Sequence, residues 1–318
     1  MGSRGDGGRR ITIDTIGTGY VIRGVTPRVA GILAALFRLS KPGIVAAVLM
    51  AGFTGMVLGE RGLPDGKTGF ICMASLLLSA AGSAMLNGVL DADIDLRMDR
   101  LLKRCAALET AGRKPVMILA VSGIGVALFL ALNFLSLQVF LLILAASLSY
   151  TLLYTLSLKR LSPWGAVPGG IPGALPVLIG YTSAAHTVRL DGIILFIFML
   201  LWQPPHFWSL ALGYRKEYEG AGVPVMPVAR GVRFTKLLIL VYAAALIPAS
   251  LSLWLFGYCS IGYGAFALTC GIAFLSACCF SLVDSRRSGI IFCASIIYLL
   301  LLFAAIIVDV CFIQGLPS

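Results

Sequence analysis

Long apolar runs recur along the whole chain, and they constrain its fold more than any other feature of the sequence. A helix needs roughly 20 mainly apolar residues to cross a hydrocarbon core about 30 Å thick. With 59% hydrophobic and 12% charged residues, the 318-residue chain is too poor in charge for a soluble domain. We therefore predict an all-α membrane protein with nine transmembrane helices. Their expected positions are near 43–60, 68–90, 115–133, 136–158, 165–185, 190–213, 235–256, 261–283 and 288–312.

Lysine and arginine are divided very unevenly between the two sides that these nine spans define. Of the 25 such residues, 22 fall on the side of the N-terminus, and only Arg61, Lys67 and Arg189 fall on the other. Cytoplasmic loops carry such an excess, so the pattern predicts a cytoplasmic N-terminus and a periplasmic C-terminus. It also accounts for the net charge of +11 without a nucleic-acid partner.

The chain divides into an arm and a membrane domain. Residues 1–37 are predicted to form a largely disordered cytoplasmic arm, and residues 38–318 the membrane domain, with cytoplasmic cap loops 96–114 and 214–234. The arm lacks the short apolar core of a signal peptide, so we expect a multi-pass protein of the bacterial inner membrane. None of the eight cysteines has the CxxC spacing of a metal or redox site.

An acidic stripe ends the second apolar run. Asn87, Asp91, Asp95 and Asp99 are spaced by four and would share one face of a helix, whereas Asp93 points elsewhere. Carboxylates at this spacing repel each other, and one at the centre of a bilayer costs roughly 2.5–3.5 kcal/mol. Positive partners are therefore expected nearby. Asp99 is more simply a solvated helix end.

The oxygen ligands of this stripe suit Mg²⁺, which takes one or two carboxylates and completes its shell with water and substrate phosphate. A Mg²⁺-bound diphosphate beside an apolar interior indicates an isoprenyl diphosphate, whose tail enters the bilayer and whose headgroup becomes a leaving group. The sequence therefore favours transfer of an allylic group to an electron-rich acceptor in a water-poor cavity facing the cytoplasm.

Two other segments carry unusual chemistry. The run Trp202–Trp208 places Pro204 and Pro205 within a span, where they are expected to break the helix and line a pocket. The fifth span and its approach, residues 163–180, are rich in glycine and proline. For any single glycine there, helix packing is the simpler interpretation, but the clustering favours a cavity.

Several separated motifs resemble those of the UbiA-type intramembrane prenyltransferases, most closely their protohaem IX farnesyltransferase (haem O synthase) branch. The resemblance implies nine helices around a central cavity and Mg²⁺-dependent transfer of farnesyl from farnesyl diphosphate to a vinyl group of haem b. It also implies a link to haem A synthase or cytochrome oxidase assembly. The matching motifs are Ser40–Ile44, Asn87–Asp95 with Met98 and Arg100, Tyr150–Arg160, Pro168–Pro176, Trp202–Trp208 and Ala221–Val228.

The resemblance also implies roles for individual residues. Asn87, Asp91 and Asp95 would be catalytic and bind the metal, with Glu217, which stands where the family commonly has Asp, as a further ligand. Haem would contact His206, Trp202 and Gln203, where His206 is either an iron ligand or a polar cap for carbonyls freed by the prolines. The residues that would contact diphosphate are Lys41, Arg100, Tyr154, Lys159 and Lys216; Lys41 and Lys159 are equally well explained as interfacial cations.

Two alternatives use the same features. A prenyltransferase acting on a quinone precursor or another aromatic acceptor would carry the same first motif. A transporter would also show broken helices and buried carboxylates. Nine helices do not divide into two equal halves, however, and the polar residues gather at one face of the membrane, so transport fits less well.

Overall fold

The computed structural model of the chain describes residues 13–16, 19–22, 29–282 and 287–313. Their regular secondary structure is helical apart from an antiparallel hairpin of β1 (Ile13–Ile16) and β2 (Gly19–Ile22). In this part of the chain, eight helical segments are long and apolar enough to cross a membrane. They are Pro42–Glu60, Gly66–Leu90, Arg113–Phe134, Leu137–Leu161, Leu190–Gly213, Val232–Leu255, Ile261–Ser281 and Ser288–Ile313.

The helices pack as one bundle with shorter helices at one end. Numbered in chain order, they are α1 (Val29–Leu39), α2 (Pro42–Glu60), α3 (Gly66–Leu90), α4 (Ala92–Asp95), α5 (Leu102–Ala111), α6 (Arg113–Phe134), α7 (Leu137–Leu148), α8 (Lys159–Leu161), α9 (Ile171–Ala185), α10 (Leu190–Gly213), α11 (Arg215–Gly220), α12 (Met226–Ala229), α13 (Val232–Leu255), α14 (Ile261–Leu282) and α15 (Ser288–Val308). Large apolar side chains such as Phe70, Phe129 and Leu237 point outward, as expected of a surface in contact with lipid.

The predicted span at 165–185 corresponds to α9, which has 15 residues and follows a 3-10 turn at Pro168–Gly170. It is shorter than the length needed to cross a typical hydrocarbon core. Nearly all of its side chains are buried against neighbouring helices. The count of nine transmembrane helices therefore stays a prediction.

Helices α2 and α9 approach until their backbones touch. A Cβ atom added to Gly180 would lie 1.9 Å from the carbonyl oxygen of Gly52, and one added to Gly55 would lie 2.1 Å from that of Val177. Small residues permit such an approach, which brings whole backbones into van der Waals contact. The glycines at this contact are thus explained by helix packing and not by the cavity that their clustering suggested.

The predicted cap loops and arm contain more helix than the sequence suggested. Residues 96–114 hold a 3-10 turn and α5, and residues 214–234 hold α11 and α12. Within the predicted arm, α1 packs on α5. Most of the residues predicted to be disordered lie outside the described ones, and β1, β2 and α1 are the parts that the structure describes.

Two spans differ internally from expectation. The predicted helix over 136–158 is α-helical only through Leu148, because Ser149–Leu158 adopts a π-helix before α8. The expected break at Pro204 and Pro205 is wrong, since α10 runs unbroken through both. Both prolines are buried, and membrane helices tolerate the lost backbone hydrogen bonds where neighbours pack closely.

A network of buried polar groups ties the helices together at the end remote from α4 and α5. Asp191, fully buried at the start of α10, pairs with Arg61 at 2.8 Å and accepts a hydrogen bond from the Tyr181 hydroxyl at 2.6 Å. The Arg61 guanidinium also donates to the Tyr258 carbonyl at 3.1 Å. This network joins the ends of α2, α9 and α10 to the loop before α14.

Candidate active site

Three of the four residues in the predicted acidic stripe are buried together where α3 ends. Asn87 lies in the last turn of α3, Asp91 caps that helix, and Asp95 ends α4. Their exposed fractions are only 3%, 0% and 1%. Asp99 begins a separate 3-10 turn and is exposed, as is Asp93. The stripe therefore extends from Asn87 to Asp95 and no further.

The positive partners that the stripe requires are present. The Lys159 ammonium lies 2.5 Å from Asp91 Oδ2, Arg104 pairs with Asp95, and Lys41 donates to Asn87 Oδ1. Arg104 was not among the predicted site residues. Its position in the basic run after Asp99 was the only local signal, and α5 is the element that turns it back toward Asp95.

Asn87 is held by a second residue that the sequence analysis did not single out, Thr155. The Asn87 amide donates to Asp91 Oδ2 at 2.7 Å and to Thr155 Oγ1 at 3.0 Å. The Thr155 hydroxyl in turn donates to the Tyr150 carbonyl, five residues earlier in the π-helix, at 2.8 Å. The irregular turn thus supports the acidic stripe, and π-helical turns often occur at functional sites.

One oxygen on each buried aspartate lacks a hydrogen-bond partner. Asp91 Oδ1 and Asp95 Oδ1 are both inaccessible to solvent and unpaired by hydrogen bonds, although Arg160 Nη2 lies 3.8 Å from Asp91 Oδ1. Among the described residues, no group of three or more His, Cys, Asp or Glu side chains gathers closely enough to hold a metal. These oxygens fit a hard cation that takes its other ligands from substrate phosphate and water, and not an all-protein metal site.

Glu217 and two of the predicted diphosphate contacts lie apart from the stripe. Glu217 pairs with Arg100 at 3.4 Å, and the Arg100 guanidinium stacks over the rings of Tyr214 and Tyr218 at 4.4 and 4.9 Å. Lys216 is exposed and forms no ion pair with a described carboxylate. The structure therefore brings Lys41 and Lys159 to the stripe but not Arg100, Lys216 or Glu217.

Tyr154, also a predicted diphosphate contact, lies on the π-helix one residue before Thr155. Its ring stacks on that of Tyr150, with centroids 6.0 Å apart. A Cβ atom added to Gly169 would lie 2.4 Å from the Tyr154 ring, so the glycine leaves room for the tyrosine. Here too a glycine of the 163–180 segment accommodates a side chain.

The three residues predicted to contact haem lie on α10 and already have partners. His206 stacks between Trp202 and Phe292, at 4.6 and 4.4 Å, and its Nδ1 lies 2.7 Å from the Ser295 hydroxyl. Gln203 donates to the carbonyl of Gly170 at 2.7 Å. His206 therefore does not cap carbonyls freed by the prolines, and its role as an iron ligand stays a prediction.

The pKa values of the charged groups of the site that lie outside the membrane spans are shifted in opposite directions. Burial raises the pKa of the Asp95 carboxyl, although Arg104 opposes this shift. Removal of the Lys41 ammonium from water, together with repulsion by Arg104 and Lys159, lowers the pKa of Lys41 to about 7. The hydrogen bonds from Arg160 lower the pKa of Asp93. The free site is thus crowded with positive charge.

Comparison with protein families matches residues 48–296 to the UbiA prenyltransferase family. A protein of Geotalea uraniireducens (strain Rf4) named protoheme IX farnesyltransferase is 51% identical over 256 residues, which cover 80% of this chain and 99% of that protein. A protein of Aquifex aeolicus (strain VF5) with the same name is 42% identical over 272 residues, which cover 85% and 93%.

Solved structures with much lower sequence identity share the fold. A structure of a digeranylgeranylglyceryl phosphate synthase has a TM-score of 0.74 at 17% identity and covers 88% of this chain and 98% of its own. A UbiA homologue from Archaeoglobus fulgidus, bound to GPP and Mg²⁺, has a TM-score of 0.63 at 14% identity, with 86% and 99% covered. At this identity the likeness concerns the fold alone.

Proposed function

Because this chain belongs to the UbiA prenyltransferase family, we propose that it is a protohaem IX farnesyltransferase. It transfers the farnesyl group of farnesyl diphosphate to a vinyl group of haem b, giving haem O and diphosphate. Relatives that cover most of the chain carry that name. The observation that supports the proposal most directly is the pair of buried aspartates, each with one oxygen that lacks a hydrogen-bond partner, among clustered cations at the end of a membrane helix.

The charge of this cluster suits a diphosphate. Its cations outnumber its carboxylates even before a metal ion is added. A prenyl diphosphate with its several negative charges would neutralise the excess, and ion pairs that lie out of water are little screened by salt. The cations are Lys41, Arg104, Lys159 and Arg160, and the carboxylates are Asp91, Asp93 and Asp95.

Two groups of residues would carry the proposed reaction. Asn87, Asp91 and Asp95 would hold Mg²⁺, which when bound supplies electrostatic stabilisation of the diphosphate leaving group. Lys159 and Arg104 then stabilise the negative charge that grows on diphosphate as the bond between its oxygen and the farnesyl carbon breaks. The apolar interior keeps water from the resulting allylic cation. The haem vinyl group forms the new carbon–carbon bond and takes a hydroxyl from water, which releases a proton.

The expected location follows from the distribution of charge. The basic loops flank the cluster, and the cytoplasm holds the soluble diphosphate product, so we place the active site at the cytoplasmic face of a bacterial inner membrane. The N-terminus is then cytoplasmic and the C-terminus periplasmic. Haem A synthase or an assembling cytochrome oxidase is the proposed recipient of the product.

Mass spectrometry of extracted haems tests this function. Membranes containing the protein, supplied with haem b, farnesyl diphosphate and Mg²⁺, are expected to yield a haem heavier by one farnesyl group and one hydroxyl group. Chelation of Mg²⁺ with EDTA should abolish the product, and added Mg²⁺ should restore it. Unmodified haem from folded protein would instead favour a quinone precursor or another aromatic acceptor.

Diphosphate affinity is expected to fall as pH rises through 7. With its pKa lowered to about 7, Lys41 loses its proton in the free protein above that pH. A bound diphosphate favours the charged ammonium, so binding takes up a proton and weakens by roughly threefold to tenfold between about pH 6 and pH 8. Titration with a non-reactive thiolodiphosphate analogue would measure this slope. Because arginine keeps its charge, K41R should flatten it, and an equal slope in K41R would contradict the assignment.

A further inference from the structure

A second polar feature adjoins the diphosphate cluster and shares Asp93 and Arg160 with it. An open cleft of about 170 Å³ separates α4 from the turn after α11, and Asp93, Arg97, Arg160 and Gly222 are among the residues that line it. Gly222 has a φ of +73°, and a Cβ atom added there would meet nothing within 4 Å. The backbone at this turn therefore leaves the cleft open.

The cleft carries one neutralised and one unpaired guanidinium. Arg160 donates to both oxygens of Asp93 at 2.9 Å, and also to the Leu90 carbonyl at 2.9 Å. Arg97 is exposed and forms no ion pair with a described carboxylate. The Asp93 charge is thus balanced by Arg160, and Arg97 leaves the cleft with a net positive charge. Guanidinium groups bind carboxylates and phosphates through paired hydrogen bonds.

The position of the cleft connects the two parts of the proposed reaction. On one side, Arg160 Nη2 lies 3.8 Å from Asp91 Oδ1 in the diphosphate cluster. On the other side, its apolar wall, Ile94 and Val223, belongs to a hydrophobic cluster against which Phe207 packs. Phe207 follows His206 in the aromatic segment of α10. An acceptor whose ring lay against that segment would have one edge near this cleft.

The size of the cleft limits what can enter. Pockets that enclose a whole small molecule measure about 300–1,000 Å³, so this one is too small for a porphyrin ring. It can accept one or two carboxylate side groups. Haem b has an apolar ring with two propionates on one edge, and such groups prefer a cationic site open to water.

We propose that this cleft binds the propionate carboxylates of the porphyrin acceptor and that Arg97 is the residue that recognises them. This inference rests on the proposed function. In this arrangement Arg97 orients the acceptor. Anchoring the propionate edge at the cytoplasmic face leaves the opposite edge of the ring directed into the membrane domain. Asp93 is then a positioning residue that holds Arg160 at the wall of the cleft.

Equilibrium binding separates this role from catalysis. Soret absorbance titrations of the purified protein, without farnesyl diphosphate or Mg²⁺, would compare protohaem with its dimethyl ester, which keeps both vinyl groups but lacks the propionate charges. R97Q is expected to bind protohaem about tenfold more weakly and the ester equally well, since a charge-assisted hydrogen bond in an open cleft contributes about 1.5 kcal/mol. R97K should recover part of the loss. R230Q, which removes an exposed arginine from the other cap loop, is the matched control and should bind both haems as the wild type does.

Three results would overturn the proposal. One is an equal loss for protohaem and its ester, which would mean that Arg97 acts on the ring or on folding. Another is unchanged binding of both. The third is weaker binding of inorganic diphosphate by R97Q with protohaem unaffected, which would assign the cleft to the leaving group. Failure of farnesyl transfer by the wild type would count against the proposed function alone, because these titrations require no turnover.

Discussion

D91A is expected to lower the rate of farnesyl transfer at least about a hundredfold, the usual cost of removing one group that stabilises transition-state charge. Asp91 accepts hydrogen bonds from Asn87 and Lys159 on one oxygen, and its other oxygen is buried without a hydrogen-bond partner and available for a metal. Its loss removes that ligand and leaves the Lys159 ammonium without its partner. The product haem should be quantified by mass spectrometry at saturating Mg²⁺ and farnesyl diphosphate.

D99A is the matched control. Asp99 continues the four-residue spacing of the stripe but lies exposed in the following 3-10 turn. D99A should keep near wild-type activity. If only the overall negative charge of this segment mattered, D99A would lose as much activity as D91A. Gel-filtration profiles of both variants distinguish lost chemistry from lost folding. Full activity in a well-folded D91A protein would exclude the acidic stripe as the metal and diphosphate site.

G180V is expected to remove most of the folded protein. The valine Cβ would lie 1.9 Å from the Gly52 carbonyl oxygen, and that oxygen belongs to backbone that cannot rotate away. Helices α2 and α9 would have to separate, which would break their backbone contact and cost more than about 3 kcal/mol. The temperature at which half of the detergent-solubilised protein leaves the monodisperse peak would report this loss.

G125V provides the comparison within another membrane helix. A Cβ atom added to Gly125 on α6 would meet nothing within 4 Å, so this variant adds the same volume without a collision. It should elute and melt like the wild type. Equal destabilisation by the two substitutions would show that valine itself is poorly tolerated in these helices and that the contact between α2 and α9 is not tight.

The sequence predicted those features that depend on local spacing. The helical period placed Asn87, Asp91 and Asp95 on one face, and their mutual repulsion called for nearby cations, which the structure supplies. Tertiary packing decides which cations lie close enough to pair with these aspartates. Lys159 is 68 residues away from Asp91, and only the family resemblance identified it. Arg104 is turned inward by α5, and its place in a basic run did not show that it pairs with Asp95.

Other features could not be predicted from the sequence because they depend on neighbouring helices. Whether two adjacent prolines break a helix is decided by the packing around them, and in α10 it keeps the helix whole. Clustered glycines can mark a cavity or a close contact, and only the positions of α2 and the Tyr154 ring show that these mark contacts. An isolated hydropathy profile likewise cannot distinguish the 15-residue α9 from a full span.

The π-helix at Ser149–Leu158 sets the rotational phase of everything that follows it on that segment. Each wide turn holds about one residue more than an α-helical turn, so a substitution that returned one wide turn to α-helical pairing at constant length would rotate the next residues by about 100°. Lys159 would then leave the side of Asp91 while the length and hydropathy of the span hardly changed. A one-residue deletion within this stretch would instead be absorbed by the loss of a wide turn, and Lys159 would stay beside Asp91.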